Sequence, residues 1–182
     1  MTNTEIPHPC LLKDYKSEEM DPNTIFSGPC MSGSYAKKVF GTEYTKPSQL
    51  NKFRFKGTGN LAACKNLISM QFKTDNCTIP PCSFNNVFQP PVFGNFRAYA
   101  GFSYVLKYLF SSQSSGISRT KFDKAVEDFC TQTWDTVASK TPAKEQESVA
   151  KYCFDGVFVS TLLVNYGFTK DEEWERITFG DK

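Results

Sequence analysis

A single histidine, His8, and seven cysteines (Cys10, Cys30, Cys64, Cys77, Cys82, Cys130 and Cys153) are the residues best suited to nucleophilic or metal chemistry in this chain. Serine–histidine or cysteine–histidine catalysis would have to run through His8, and multi-histidine zinc chemistry has too few ligands. Flanked by Pro7 and Pro9, His8 reads as a structural or solvent-facing residue. The cysteines form no CxxC, and Cys77 and Cys82 are too widely spaced for an ordinary zinc knuckle, so bridging is the chemistry they suit. Gly57-Thr58-Gly59-Asn60 invites a phosphate-loop reading, because helix N-termini bind anions. No lysine or second glycine motif follows it, and a turn opening a helix explains it as well. Asp171-Glu172-Glu173 reads as a cluster that complements a helix dipole. Arg97 reads as an exposed helix arginine.

The cysteines and the N-terminus point in different directions. Seven cysteines, with Asn76-Cys77-Thr78 as an acceptor for an N-linked sugar, suit an oxidising extracellular or secretory-lumen setting. The start Met1-Thr2-Asn3-Thr4-Glu5-Ile6-Pro7 has neither the basic head nor the apolar run of a signal peptide. An odd number of thiols leaves one without a partner within the chain. These residues are therefore expected to be an internal piece of a longer secreted or membrane-anchored protein. A formal charge of +2, evenly spread, gives no nucleic-acid surface. No apolar stretch approaches the roughly 20 residues that cross a bilayer. With 40% hydrophobic and 15% aromatic residues, the 182-residue chain is no disordered tract and can bury a core.

The elements that must position these groups are helices for the most part. Residues 1–35, with Pro7, Pro9, Pro22 and Pro29, read as irregular and held by cysteines. Tyr35–Phe40 and Phe53–Phe55 read as short strands. Leu61–Phe72 has helical spacing, with Leu61, Cys64, Leu67/Ile68 and Phe72 on one face. Thr78–Gly94 holds Pro80, Pro81, Pro90 and Pro91 and reads as a loop plugged by Phe84, Phe88 and Phe93. Tyr99, Phe102, Val105/Leu106 and Leu109/Phe110 mark a helix. Ser118 is a candidate N-cap for another with Phe122, Val126, Phe129 and Cys130 inward. Glu145–Tyr166 reads as one long helix, apolar almost all round after Tyr152, and so interior to something larger. Thr169–Glu172 has a capping-box pattern, and Arg176–Phe179 resembles a strand. The fold class is helix-rich α+β.

Two longer motifs carry a resemblance. Cys82-Ser-Phe-Asn-Asn-Val-Phe-Gln-Pro-Pro91, then Gly94-Asn-Phe-Arg-Ala-Tyr-Ala-Gly-Phe-Ser-Tyr104, is similar to the ecto-apyrase (nucleoside triphosphate diphosphohydrolase) family. The order His8-Pro-Cys, Gly28-Pro-Cys, Gly57-Thr-Gly-Asn, Phe129-Cys, Tyr152-Cys-Phe and Trp174-Glu-Arg-Ile resembles it too. The resemblance covers nearly the whole chain. It implies that residues 1–182 are a disulfide-stapled part of the C-terminal lobe of an actin-like (ribonuclease H-like), two-lobed hydrolase of nucleoside tri- and diphosphates. Such enzymes use Ca or Mg and a water activated by a carboxylate, with the phosphates held between glycine-rich loops from both lobes.

Neither glycine-rich phosphate loop, nor the catalytic-glutamate segment, nor the family's last tryptophan motif is found here. The chain is thus expected to begin after the second phosphate loop, to end before that last motif, to hold no catalytic residue or metal ligand, and to be inactive alone. The resemblance implies the pairs Cys10–Cys64, Cys77–Cys82 and Cys130–Cys153, with Cys30 bonded to a cysteine upstream. It also implies that two rings sandwich the nucleotide base, and the matching positions are Tyr104 and Tyr166. Two departures bear on that assignment. Ser103-Tyr104 stands where family members often have adjacent aromatics, and Val164–Phe168 is about one residue shorter than in the vertebrate pattern. The competing expectation is a non-catalytic secreted module, derived from the family, that binds a nucleotide or a partner.

Overall fold

A computed structural model describes residues 4–29, 31–72, 76–111 and 113–180. Helices dominate, and α5 (Arg119–Cys130) and α8 (Tyr152–Asn165) form the centre of the packing, joined there by α3 (Leu61–Ser69) and α4 (Gly101–Phe110). The reason for α5 is visible residue by residue. Ser118 Oγ accepts from Lys121 N–H at 3.3 Å, satisfying one of the free amides of the first turn. Phe122, Val126, Phe129 and Cys130 then recur on one face and are all buried. Against that face lies Gly156 of α8, where an added Cβ would come within 2.7 Å of Val126 Cγ2. The two helices approach closely because no side chain stands between them.

Two short parallel sheets flank this core. In the first, β1 (Thr4–His8) pairs with β2 (Phe53–Gly57) from Thr4↔Phe53 to His8↔Gly57. The crossover between them carries α1 (Asn23–Phe26) and α2 (Gly33–Phe40). In the second, β3 (Phe96–Ala98) pairs with β4 (Ile177–Phe179). The remaining helices are α6 (Trp134–Ala138), α7 (Ala143–Val149) and α9 (Asp171–Trp174). Trp174 is fully buried, with its indole N–H donating to Phe168 C=O at 2.9 Å. Disulfides join Cys10 to Cys64, Cys77 to Cys82 and Cys130 to Cys153, the three pairs that the family resemblance implies. Cys30, expected to bond upstream, lies outside the described residues.

Several expectations need correction. Residues 33–40 are helix α2, not a strand: Ser32 is extended at the N-cap, Lys37 and Lys38 complement the last turn, and Gly41 closes it at φ 74°. Residues 4–8 are a strand rather than irregular chain, because Pro7 is tolerated in an edge strand. The helix expected over 145–166 is two helices. Lys151 N–H bonds Ser148 C=O rather than the carbonyl four residues back, and this tighter turn separates α7 from α8 without disturbing the burial of Val149, Ala150 and Cys153. Arg97 lies on strand β3, not on a helix. Of the three expected aromatic plugs, only Phe84 is seated, edge-on against Phe72 and Tyr166. Phe88 is 50% and Phe93 82% exposed.

The helix start at 171 also works differently from expected. Glu173, not Glu172, turns back to accept from Thr169 N–H at 2.6 Å and Lys170 N–H at 2.8 Å. Asp171 accepts from Thr120 N–H at 2.9 Å, so it caps the start of α5 from another element. Gly57-Thr58-Gly59-Asn60 is a turn and helix start: Asn60 Oδ1 accepts from Ala63 N–H at 3.1 Å. Gly59, at φ 61°, packs against Lys13 and donates its N–H to Leu11 C=O at 2.9 Å.

Candidate functional site

The end of α8 shapes a concavity that the sequence-selected Tyr166 lines. Gly167, at φ 101°, reverses the chain there, with Gly167 N–H bonded to Val164 C=O and Phe168 N–H to Leu163 C=O, each at 3.0 Å. The reversal leaves Tyr166, half-buried, on the wall of a cleft of about 690 Å³. Phe84 supports its ring from one side, edge-on, with centroids 5.8 Å apart. Residues 90–93 line the same cleft, where Phe93 is 82% exposed. This pairing of an ordered ring with an uncovered one suits a flat, partly apolar ligand.

The polar groups at the rim are largely committed to the fold. Asn165 Nδ2 donates to Thr161 C=O at 2.8 Å, leaving Oδ1 as an acceptor. Arg176 Nη1 donates to Gly94 C=O at 3.3 Å. Glu173 is held below the usual carboxylate range, chiefly by the Lys170 N–H and then by Thr169. A carboxylate so stabilised in its charged form makes a poor general base.

The residues best suited to nucleophilic chemistry are engaged in the fold. His8 Nδ1 accepts from Cys10 N–H at 3.2 Å, and burial lowers its pKa, so the ring is held neutral with that nitrogen occupied. Six cysteines are consumed in bridges. Among the described residues, no group of three or more His, Cys, Asp or Glu is placed to hold a metal ion. No described helix is long and apolar enough to cross a membrane.

The two sequence-selected tyrosines do not share this cleft. Tyr104, 56% exposed on α4, lies one turn before Tyr108, whose ring packs on Tyr152 at 5.2 Å. Tyr152 and Tyr166 bracket α8, about 20 Å apart along its axis. Tyr104 therefore sits toward one end of α8 and Tyr166 closes the other. Arg97 is exposed on β3 and is not among the residues that line the cleft. Sequence reasoning missed the part that residues 89–93 take in lining the cleft, although Gln89-Pro90-Pro91 was conspicuous. The exposed Asn76 is held by its N–H to Asn86 Oδ1 at 3.0 Å.

With this geometry in hand, likeness to known proteins identifies the class. Residues 10–182 match the GDA1/CD39 (nucleoside phosphatase) family, and the chain belongs to it. It is 30% identical to ectonucleoside triphosphate diphosphohydrolase 1 of Mus musculus over 177 residues, covering 92% of this chain and 34% of that protein. It is 31% identical to ectonucleoside triphosphate diphosphohydrolase 2 of Rattus norvegicus, covering 91% and 31%. To ectonucleoside triphosphate diphosphohydrolase 8 of Gallus gallus the identity is 33%, covering 97% and 33%. The chain thus spans about a third of the length of these relatives.

Proposed function

We propose that residues 1–182 are part of the C-terminal lobe of an actin-like, two-lobed apyrase, and that they supply lobe packing and the nucleotide-base side of its cleft. Family membership over residues 10–182, together with coverage of only a third of the relatives, supports the assignment to a segment. The observation that carries the base-binding reading is Tyr166, buttressed by Phe84 and lining the same cleft as the uncovered Phe93. Any base presents a π face, so a ring wall tolerates many bases. Tyr104 enters as a second, separately exposed ring on α4. The nucleoside tri- or diphosphate would meet its Ca or Mg, its phosphate loops and its carboxylate base on segments outside this chain. Alone, the chain would hydrolyse nothing. The bridged cysteines and the exposed Asn76 sequon support an extracellular or secretory-lumen setting, with Asn76 glycosylated and Cys30 bonded to an upstream cysteine.

The test is titration of the disulfide-intact chain with adenosine and uridine monophosphates, followed by amide NMR. Tyr166→Ala should weaken binding by about 5- to 150-fold, the stacking worth of one ring. Tyr104→Ala, outside the cleft, should leave it unchanged, and unchanged binding in Tyr166→Ala would overturn the base-site assignment. Release of phosphate from ATP or ADP by the pure chain with Ca or Mg would overturn its proposed inactivity.

A further inference from the structure

The three bridges differ in how they meet solvent. Cys10, Cys64, Cys130 and Cys153 are fully buried. Cys77 and Cys82 are only half-buried, and the residues between them, Thr78, Ile79, Pro80 and Pro81, are all exposed. Thiol–disulfide exchange needs a thiolate to reach a sulfur, so access separates this bridge from the other two. It also closes the shortest loop, with a separation of 5 residues against 54 and 23. Both of its cysteines lie in the segment between α3 and β3, so it joins no two elements of the core.

What this bridge holds is part of the lining of the Tyr166 cleft. Pro81 and Cys82 line that cleft together with residues 89–93. Pro81 C=O accepts from Gln89 N–H at 2.8 Å, Cys82 pairs with Phe88, and Ser83 N–H donates to Val87 C=O at 2.9 Å. Residues 81–83 and 87–89 thus run side by side, and the bridge ties the first of these runs to Cys77. Just beyond Cys82, Phe84 stands edge-on to Tyr166. Little else anchors this segment, since Ile79, Val87, Phe88 and Phe93 are all exposed. A stretch that buries so few apolar side chains is held by local covalent constraint in place of a core.

We propose that Cys77–Cys82 is a thiol–disulfide exchange site, and that its opening by an external dithiol loosens the lining of the cleft while the core stays bridged. One thiolate of the dithiol attacks a bridge sulfur and forms a mixed disulfide; the S–S bond breaks, and the other sulfur leaves as a thiolate that takes up a proton. The second thiol of the reagent then displaces the first cysteine, so that the reagent ends as a disulfide and Cys77 and Cys82 as thiols. Two electrons pass from the reagent to the bridge. The loop 77–82 loses its closure, and with it the register of Pro81 against Gln89 and the seat of Phe84 beside Tyr166. The inference stands on the bridge and the cleft lining and is independent of what the cleft binds.

The experiment uses the disulfide-intact 182-residue protein, with Cys30 blocked beforehand by N-ethylmaleimide, and graded dithiothreitol or reduced thioredoxin. Newly freed thiols are labelled with iodoacetamide and located by peptide mass mapping, and the cleft is followed by amide NMR. Cys77 and Cys82 should be labelled about tenfold faster than the four cysteines of the buried bridges. Amide shifts should fall on residues 76–93 and 165–167, with those of α5 unmoved. A Cys77→Ser/Cys82→Ser variant should show the opened spectrum without reductant. Opening of this bridge first, by either reagent, supports the proposal, and the reagent that succeeds tells a small dithiol from a protein one. Opening of Cys10–Cys64 or Cys130–Cys153 at the same rate, no opening short of unfolding, or an opened bridge that leaves the amides of residues 165–167 in place would each overturn it. Because the labelling is done on the natural sequence, the outcome does not depend on whether the serine variant folds.

Discussion

Replacing Gly57 by alanine would drive a methyl group into the main chain of the neighbouring segment. An ideal Cβ at this position lies 1.9 Å from Leu12 C=O oxygen and 2.9 Å from the Leu11 carbonyl. Both obstacles are backbone, so no side chain can rotate away, and β2 and the 11–15 segment must part by about an ångström. That movement works against bonds on both sides of the glycine: Gly57 N–H donates to Tyr15 C=O at 2.8 Å, and Asp14 N–H to Gly57 C=O at 3.1 Å. Losing or stretching both, at about 1 kcal/mol each, and adding steric strain gives a cost of about 3 kcal/mol. In urea, with a slope of about 2 kcal/mol/M, the midpoint should fall by about 1.5 M. The melting temperature should fall by about 6–12 °C for a chain of this size. The control is Gly101→Ala at the start of α4, where an added Cβ meets nothing within 4 Å. It should change stability by no more than about 1 kcal/mol. Circular dichroism melts of the two variants with disulfides intact decide the matter. Equal effects, or a loss below about 1 kcal/mol at Gly57, would refute the claim that this crossing has no room for a side chain.

Removing the bridges one at a time should rank by the loop each closes, in the chain-entropy picture. Separations of 54, 23 and 5 residues give losses of about 4 kcal/mol for Cys10–Cys64, about 3.5 for Cys130–Cys153 and about 2 for Cys77–Cys82. Paired cysteine-to-alanine variants in urea check the order. Two opposite pH trends should also appear. Asp171 and Glu173 have lowered pKa values, through the Thr120 and Lys170 backbone N–H groups first. Their stabilisation is full above the ordinary carboxylate range and is lost as the pH falls through their lowered folded-state values. Asp171→Asn and Glu173→Gln should flatten that acid limb of the urea midpoint. Asp155 has a raised pKa because burial disfavours its charge, so stability declines as the pH rises from the ordinary carboxylate range through its folded-state value. Asp155→Asn should abolish the decline, and an unchanged pH profile would refute the desolvation argument.

Where a local signal and burial coincide, the sequence could be read directly. Ser118 with Phe122, Val126, Phe129 and Cys130 has a cap and a periodic face, and all four apolar positions are buried. Phe53–Phe55 and Arg176–Phe179 showed as strands because Phe53, Ile177 and Phe179 bury alternate or flanking positions. β1 gave no such pattern, since it buries little and contains Pro7; its existence depends on a partner 45 or more residues away. α2 was misread because the short run Tyr35–Phe40 fits two periods, and the deciding features, the extended Ser32 and left-handed Gly41, lie outside it. Of the candidate site, Tyr166 came from the family resemblance and not from a local signal, since a ring before Gly167 reads equally as a plug for the helix end. Its separation from Tyr104 was not legible either, because nothing local to either residue states that α4 meets α8 through Tyr108 and Tyr152.

The sequence of α8, apolar almost all round, reads as a helix interior to something larger, and the structure divides it differently. Cys153, Gly156, Val157 and Leu163 are buried, with Cys153 bridged to α5 and Gly156 against Val126. Phe154, Phe158 and Leu162 repeat every four residues on another face. There Phe154 and Phe158 stack at 5.9 Å and Phe158 remains 37% exposed beside a cavity between α4 and α8. A helix with one face in the core and another lining a groove shows no polar side, and so loses the contrast by which amphipathic helices are recognised. The single acidic residue between those two faces, Asp155, is then the position at which the sequence departs from burial.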